Sequence, residues 1–316
     1  MKKVIKILAY LLGGLLLIGL ALFAFVSFKA LPSYDSVAIP DLKVEATPER
    51  LALGQKLVDH NCAGCHRGKG RQLDGILFED VAARKSFGDF HSANITAHPE
   101  NGIGAYTDGE LYRILRTGIK KNGKLMLPVM PQFVLSSDED IYAIIAYLRA
   151  GEGLVAPSDK LISTPQYSFL ARALLNFVIK PHPTKEAYPL IPTPTDSIAF
   201  GKYLVDARYV CFACHSAGLD VLDMETPNNT PGYLQGGTIF EMEEYEVNSP
   251  SLLMDGESNI SSWNEEAFIA ALKFGQREGL PAYQKPMHPY PMMDTTEVRA
   301  IYHYLKDYSK AQAGED

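Results

Sequence analysis

Apolar and polar positions divide the chain into two unequal parts. Ile7–Phe28 is a run of 22 residues without a charge. That matches the about 20 residues a helix needs to cross a bilayer. Beyond it, charged and apolar positions interleave. Ile141, Ile144, Ile145 and Leu148 recur at helical spacing, in a helix predicted from Ser137 to about Arg149. A helix is also predicted over Thr47–Asn61, with Thr47 as cap and Pro48 in the first turn. Thr107-Asp108-Gly109-Glu110 is a capping box, opening a helix that runs to Thr117 and stops at Gly118. Arg67–Tyr106 reads as irregular, rich in glycine and turn residues. The proline-rich stretch 151–195 contains one apolar helical piece, Ser168–Ile179. That piece is expected to pack across the interface between the two halves, with a membrane-surface contact as the second reading.

The pattern then repeats. Gly54-Gln-Lys-Leu-Val-Asp59 returns as Gly201-Lys-Tyr-Leu-Val-Asp206, 147 positions on. Ile141–Leu148 returns as Val298–Leu305, 157 positions on, and that offset holds back to Ser92 and Ser249. A fixed offset over such a length points to duplication, with about eight extra residues after the first part of the second copy. The expected organisation is all-α: an anchor 1–30, a tether 31–46, a domain 47–150, a linker 151–195 and a second domain 196–316.

Charge sets the side of the membrane. Lys2, Lys3 and Lys6 precede the apolar run, which holds the N-terminus in the cytoplasm and places the rest outside the inner membrane, in the periplasm. The run is longer than a signal-peptide core, and Phe23–Phe28 is bulky where cleavage would fall, so the anchor is expected to be retained. With the four lysines of the first thirty residues removed, 26 basic side chains face 37 acidic ones, a net charge of −11. This balance argues against nucleic acid and favours a partner with a basic docking face.

The chain has four cysteines, all in two pentapeptides: Cys62-Ala-Gly-Cys65-His66 and Cys211-Phe-Ala-Cys214-His215. Cys-x-x-Cys-His is the attachment signal for c-type haem. Two thiols bond the two vinyl groups on one porphyrin edge, and the next residue supplies the proximal imidazole. A shared zinc site needs no histidine directly after each pair. A thioredoxin-like motif would not come twice with that histidine, and a disulfide across two residues adds little. The expected cofactors are therefore two covalent haems c, on Cys62 and Cys65 with His66, and on Cys211 and Cys214 with His215.

The repeat nominates the sixth ligands. Met130 and Met287 each lie 18 positions before the matching leucine, Leu148 and Leu305, in proline-bearing loops. They are the one methionine pair that coincides at this offset, with Met292 as the rival to Met287. Core packing is the alternative for any methionine. His288 reads as a surface residue, and His60 and His91 as ordinary polar residues near the haem edges. Glu241, Glu243, Glu244 and Glu246 form an acidic run in the second half's extra loop, read as a solvated loop, with a docking patch or a cation site as the alternative.

These residues resemble the class I cytochrome c family, and most closely its dihaem members and the cytochrome subunits of membrane-bound alcohol and aldehyde dehydrogenases. The resemblance covers roughly 47–150 and 196–309. It rests on the two Cys-x-x-Cys-His motifs, on Met130-Pro-Gln-Phe133, on Leu135–Ile141 leading to Ala146-Tyr-Leu148, and on Phe90-His-Ser-Ala-Asn94-Ile-Thr96. It implies His/Met ligation and a first helix crossing a last helix, with Gly54 and Gly201 permitting close approach to Tyr147 and Tyr304. The sequence departs from the pattern in three places. It has two motifs where those subunits have three, His288 follows Met287 where proline stands in the first half, and Ser251-Leu-Leu253 replaces the Asn-Ile-Thr stretch. The expected function is a membrane-anchored periplasmic relay of single electrons, from a dehydrogenase or quinol-oxidising complex to an oxidase or another cytochrome. The chain is then an electron-transfer protein or subunit and not itself an enzyme. The alternative is a dihaem peroxidase-like enzyme with one open haem.

Overall fold

The structure is a computed structural model that describes residues 2–256 and 258–314. Helix α1 spans Lys2–Phe28, with most of its apolar side chains exposed and Phe23 against Phe169 of the linker. Helix α2, Pro48–Asn61, begins where the Thr47 hydroxyl accepts the Arg50 N–H. A single turn, α3 (Ala63–His66), carries the first motif. Helix α4, Val81–Phe87, is capped by Asp80. Helix α5, Asp108–Thr117, has the full capping box of Thr107 and Glu110 and ends on Gly118 at φ 76°. Helix α6, Asp138–Leu148, is capped by Ser137. The linker carries α7, Phe169–Ala173, prolonged by a wider π turn over Leu174–Val178.

The second half follows the same order. Helix α8, Ser197–Tyr203, is prolonged by a π turn over Leu204–Arg208. The turn α9, Cys211–Cys214, carries the second motif. Strands β1 (Ile239–Glu241) and β2 (Glu246–Asn248) pair antiparallel. Helix α10, Glu265–Phe274, ends on Gly275 at φ 68°, and α11, Thr295–Ala313, closes the half.

The first and last helices of each half cross at a glycine. A Cβ on Gly54 would lie 2.0 Å from the Ala143 carbonyl oxygen and 2.8 Å from the Tyr147 Cβ. A Cβ on Gly201 would lie 2.0 Å from the Ala300 oxygen and 2.7 Å from the Tyr304 Cβ. Only a residue without a side chain lets α2 meet α6, and α8 meet α11, this closely. Both crossings feed one apolar core, from Leu57, Ile144 and Ile145 in the first half to Leu204, Val298 and Leu305 in the second.

Four local expectations are corrected. Residues 67–106 are not wholly irregular: α4 lies there, too short and too charged to show helical periodicity. The acidic run is not a solvated loop: in this mostly helical molecule, β1 and β2 hold it in a hairpin. Glu241 pairs with Lys85 and Glu243 with Arg84, both on α4. The 31–46 segment is no free tether: Tyr34 N–H donates to the Gly123 carbonyl, Lys124 Nζ to the Leu31 carbonyl and Val44 N–H to Asp108. Finally, α7 does not pack across the interface between the halves. Ala171 and Leu175 pack into a cluster with Phe90, Ile119, Leu125 and Leu127, all from the first half.

Candidate functional site

Each motif histidine is held the same way. His66 Nδ1 lies 2.8 Å from the Ala93 carbonyl oxygen, and His215 Nδ1 lies 2.8 Å from that of Pro250. Ala93 and Pro250 are 157 positions apart, the offset of the repeat. A carbonyl only accepts, so Nδ1 carries the proton and Nε2 keeps its lone pair for a metal. Burial lowers the pKa of both rings, against the opposing pull of the carbonyl bond, so both are neutral near pH 7. The turn behind each histidine is also the same. Gly75 N–H donates to the His66 carbonyl and Gly236 N–H to that of His215. Both glycines have positive φ, 82° and 72°, and a Cβ on either would meet a serine carbonyl, of Ser92 or Ser249, at 2.4 Å.

The four thiols are free. Cys62 is buried, Cys211 and Cys214 are half-buried, and Cys65 is exposed. Burial pushes the Cys62 and Cys211 thiols up to about 12 and Cys214 up to about 11, so they stay protonated at neutral pH. Unpaired thiols with two residues between them, followed by an imidazole with a free Nε2, are the donor set covalent haem requires. The residues present therefore fit the group. The cysteines would hold the porphyrin edge, and His66 and His215 would face the iron.

The methionines divide by location. Met130 packs against the main core, at the end of the loop before α6. Met287 is half-buried, and the Tyr290 hydroxyl approaches its sulfur at 3.7 Å. Tyr290 is itself shielded, and burial, then Cys211 and Cys214 beside it, raise its hydroxyl pKa. Met287 thus belongs to the neighbourhood of the second motif. Met292 is 39% exposed and lines a crevice with Lys56, Asp59 and His60 of the first half.

Two histidine expectations, for His60 and His288, come out differently. His60 is half-buried between the rings of Tyr209 and Tyr290, with centroids 4.4 and 4.0 Å away. Burial, reinforced by nearby His288, lowers it to about 3 and keeps it neutral. His288 is half-buried, stacks 4.5 Å from Tyr290, and its Cε1 would be 3.8 Å from a Cβ on Gly64 of the first motif. His91 pairs by backbone with Leu77. The residues 285–290 therefore lean from the second half onto the first motif.

The sequence reading missed the polar seam between the halves. Arg208 donates to Asp140 through Nε at 2.9 Å and Nη2 at 2.8 Å, and to Glu297 through Nη1 at 2.9 Å. Asp140 and Glu297 are repeat partners, each the third residue of its helix. Tyr203 and Lys56 are also partners. Tyr203 donates to Asp140 at 2.5 Å and accepts the Ser137 N–H, while Lys56 reaches Glu297 at 2.9 Å and Asp294 at 2.7 Å. Asn61 and Arg208, partners again, touch each other directly through the Arg208 carbonyl at 3.0 Å. Contacts that exchange in this way between matching positions have the form of a two-fold interface. The 147 and 157 offsets were the signal that could have found it, read as pairs of charged positions.

Comparison with known proteins agrees with this chemistry. Residues 51–152 match the cytochrome c family. The chain is 30% identical over 224 residues to the cytochrome c subunit of a quinone alcohol dehydrogenase from Gluconobacter oxydans (strain 621H), covering 68% of the chain and 45% of that subunit. It is 30% identical over 265 residues to a fructose dehydrogenase cytochrome subunit from Gluconobacter japonicus, covering 81% and 52%. It is 25% identical over 263 residues to a gluconate 2-dehydrogenase cytochrome c subunit from Pantoea cypripedii, covering 81% and 58%. The chain thus spans about half the length of these relatives. The cytochrome c family implies covalently bound haem c. Residues 51–152 belong to that family, and the chain carrying them is similar over most of its length to cytochrome subunits of dehydrogenases.

Proposed function

We propose that the chain is a dihaem cytochrome c that relays single electrons from a dehydrogenase to a terminal acceptor, held by α1 in the inner membrane with its haem domains on the periplasmic side. The observation that carries this reading is the matched clamp: two Cys-x-x-Cys-His turns, each with its histidine Nδ1 tied at 2.8 Å to a carbonyl 157 positions from its counterpart. Two tandem domains, 47–150 and 196–316, each present one such turn. Cys62 and Cys65, and Cys211 and Cys214, attach the porphyrins. His66 and His215, with Met130 and Met287, would hold the two irons. Haem c bound there supplies one-electron chemistry at a potential raised by thioether ligation.

The protein's own residues do the remaining work. The carbonyls of Ala93 and Pro250 fix the tautomer and the plane of each imidazole. Burial of both rings keeps them neutral and sheltered from water. The Tyr290 hydroxyl at the Met287 sulfur orients that thioether. The relatives' association with dehydrogenases supports a dehydrogenase as electron donor. Lys2, Lys3 and Lys6 before the apolar run support the outward orientation.

The far-red sulfur-to-iron charge-transfer band tests the ligand set. In the oxidised full-length protein, Met130→Ala and Met287→Ala each remove part of that band, Met292→Ala leaves it intact, and the unmutated protein does not bind carbon monoxide when reduced. Carbon monoxide binding by the unmutated protein, or peroxide turnover, would instead establish an open iron and the enzyme reading.

A further inference from the structure

The linker helix shows apolar side chains on two sides. Ala171 and Leu175 are buried against the first half. On the other side Phe169, Leu170, Phe177 and Val178 are 43%, 47%, 51% and 65% exposed. A contiguous apolar face of this kind marks a surface that meets a partner or a membrane. Its neighbour identifies which. Phe23 of α1 stacks on Phe169, with ring centroids 5.1 Å apart and planes 16° from parallel.

That contact fixes a depth. The uncharged run Ile7–Phe28 is centred between Leu17 and Ile18. At about 1.5 Å per residue, Phe23 stands about 8 Å outward of that centre. The hydrocarbon half-thickness is about 15 Å. Seating the run symmetrically therefore places Phe23, and Phe169 stacked on it, inside the hydrocarbon boundary. Sliding α1 outward until Phe169 is free would draw Lys6 into the hydrocarbon and push Phe25 and Phe28 into water. Both moves are unfavourable, so the depth holds.

We propose that α7 and its π turn lie in the outer interface of the bilayer that α1 spans, with Phe169, Leu170, Phe177 and Val178 immersed among the acyl chains. Arg172 and Lys180 are neighbours of these residues in the chain, within reach of headgroup phosphates that would pair with them. The helix then acts as a second membrane contact. With the 31–46 segment pinned to the same half, it stops the haem-bearing body from swinging on α1 and presents one fixed face to partners. The proposal rests on the anchor reading.

The test uses the full-length protein with its haems attached, in liposomes of phosphatidylcholine and phosphatidylglycerol. Benzoylphenylalanine replaces Phe177 in one sample, Leu16 of α1 in a second and Glu244 of the hairpin in a third. After illumination, mass spectrometry counts lipid adducts. Adducts at 177 and 16, with none at 244, are expected. Adducts at 16 but not at 177 would overturn the α7 contact and leave the anchor standing. No adduct at 16 or 177 would overturn both.

Discussion

At the scale of single residues, Arg208 is the most consequential side chain outside the motifs. It is 6% exposed, and its partners Asp140 and Glu297 are 1% and 4% exposed. An isolated buried carboxylate is costly, whereas a buried ion pair as a whole is close to neutral in stability. Arg208→Met leaves buried Asp140 without a cationic partner and Glu297 with Lys56 alone, and is expected to cost about 3–5 kcal/mol, read as a lower denaturant midpoint. Arg208→Met combined with Asp140→Asn and Glu297→Gln recovers part of that loss, because no charge is left uncompensated. Equal losses in the single and triple variants would show that shape, not charge, dominates the seam. Nothing in one residue's neighbours announces this role. An arginine in the last turn of a helix reads as solvent-facing until the partner half is in place.

At the scale of elements, the sequence was most readable where local chemistry decides. Thr47, Thr107 and Ser137 cap their helices, and Gly118 ends α5, because these are choices the chain makes within a turn. Hidden elements are those decided by contacts far along the chain. The acidic run is held as a hairpin by pairs to α4, and α7 packs where Phe90 and Leu127 leave room. Gly54 and Gly201 stand between these cases, since the resemblance flagged them and the geometry explains them. Gly201→Ala drives a Cβ to 2.0 Å from the Ala300 oxygen. The α8–α11 crossing must open, with an expected loss of about 1–3 kcal/mol and a lowered melting temperature. An unchanged melting temperature would mean that the crossing is loose. For α1, the full-length protein is expected to resist carbonate extraction from membranes. Release into the soluble fraction would mean cleavage or a peripheral attachment.

At the scale of the whole molecule, one chain holds two halves with the same order of elements, an apolar α1 of 27 residues and two matched Cys-x-x-Cys-His turns. The shared order of elements was legible because insertions are confined to loops and the offset is constant where helices pack. The way the halves dock was not, because an interface between repeats leaves no periodic mark. Docking brings the 285–290 loop of the second half against Gly64 of the first motif. The two proposed haems therefore sit in one continuous body rather than on separate beads.

The central claim is that one chain carries two covalent, one-electron centres. Its most direct test is a spectroelectrochemical titration of the full-length protein, with the chain counted by amino-acid analysis and covalent haem by pyridine haemochrome. The account predicts two haems c and two electrons per chain, with Cys211→Ala plus Cys214→Ala removing one of each and leaving the other reversible. One haem per chain in the unmutated protein, or a single electron, would contradict it.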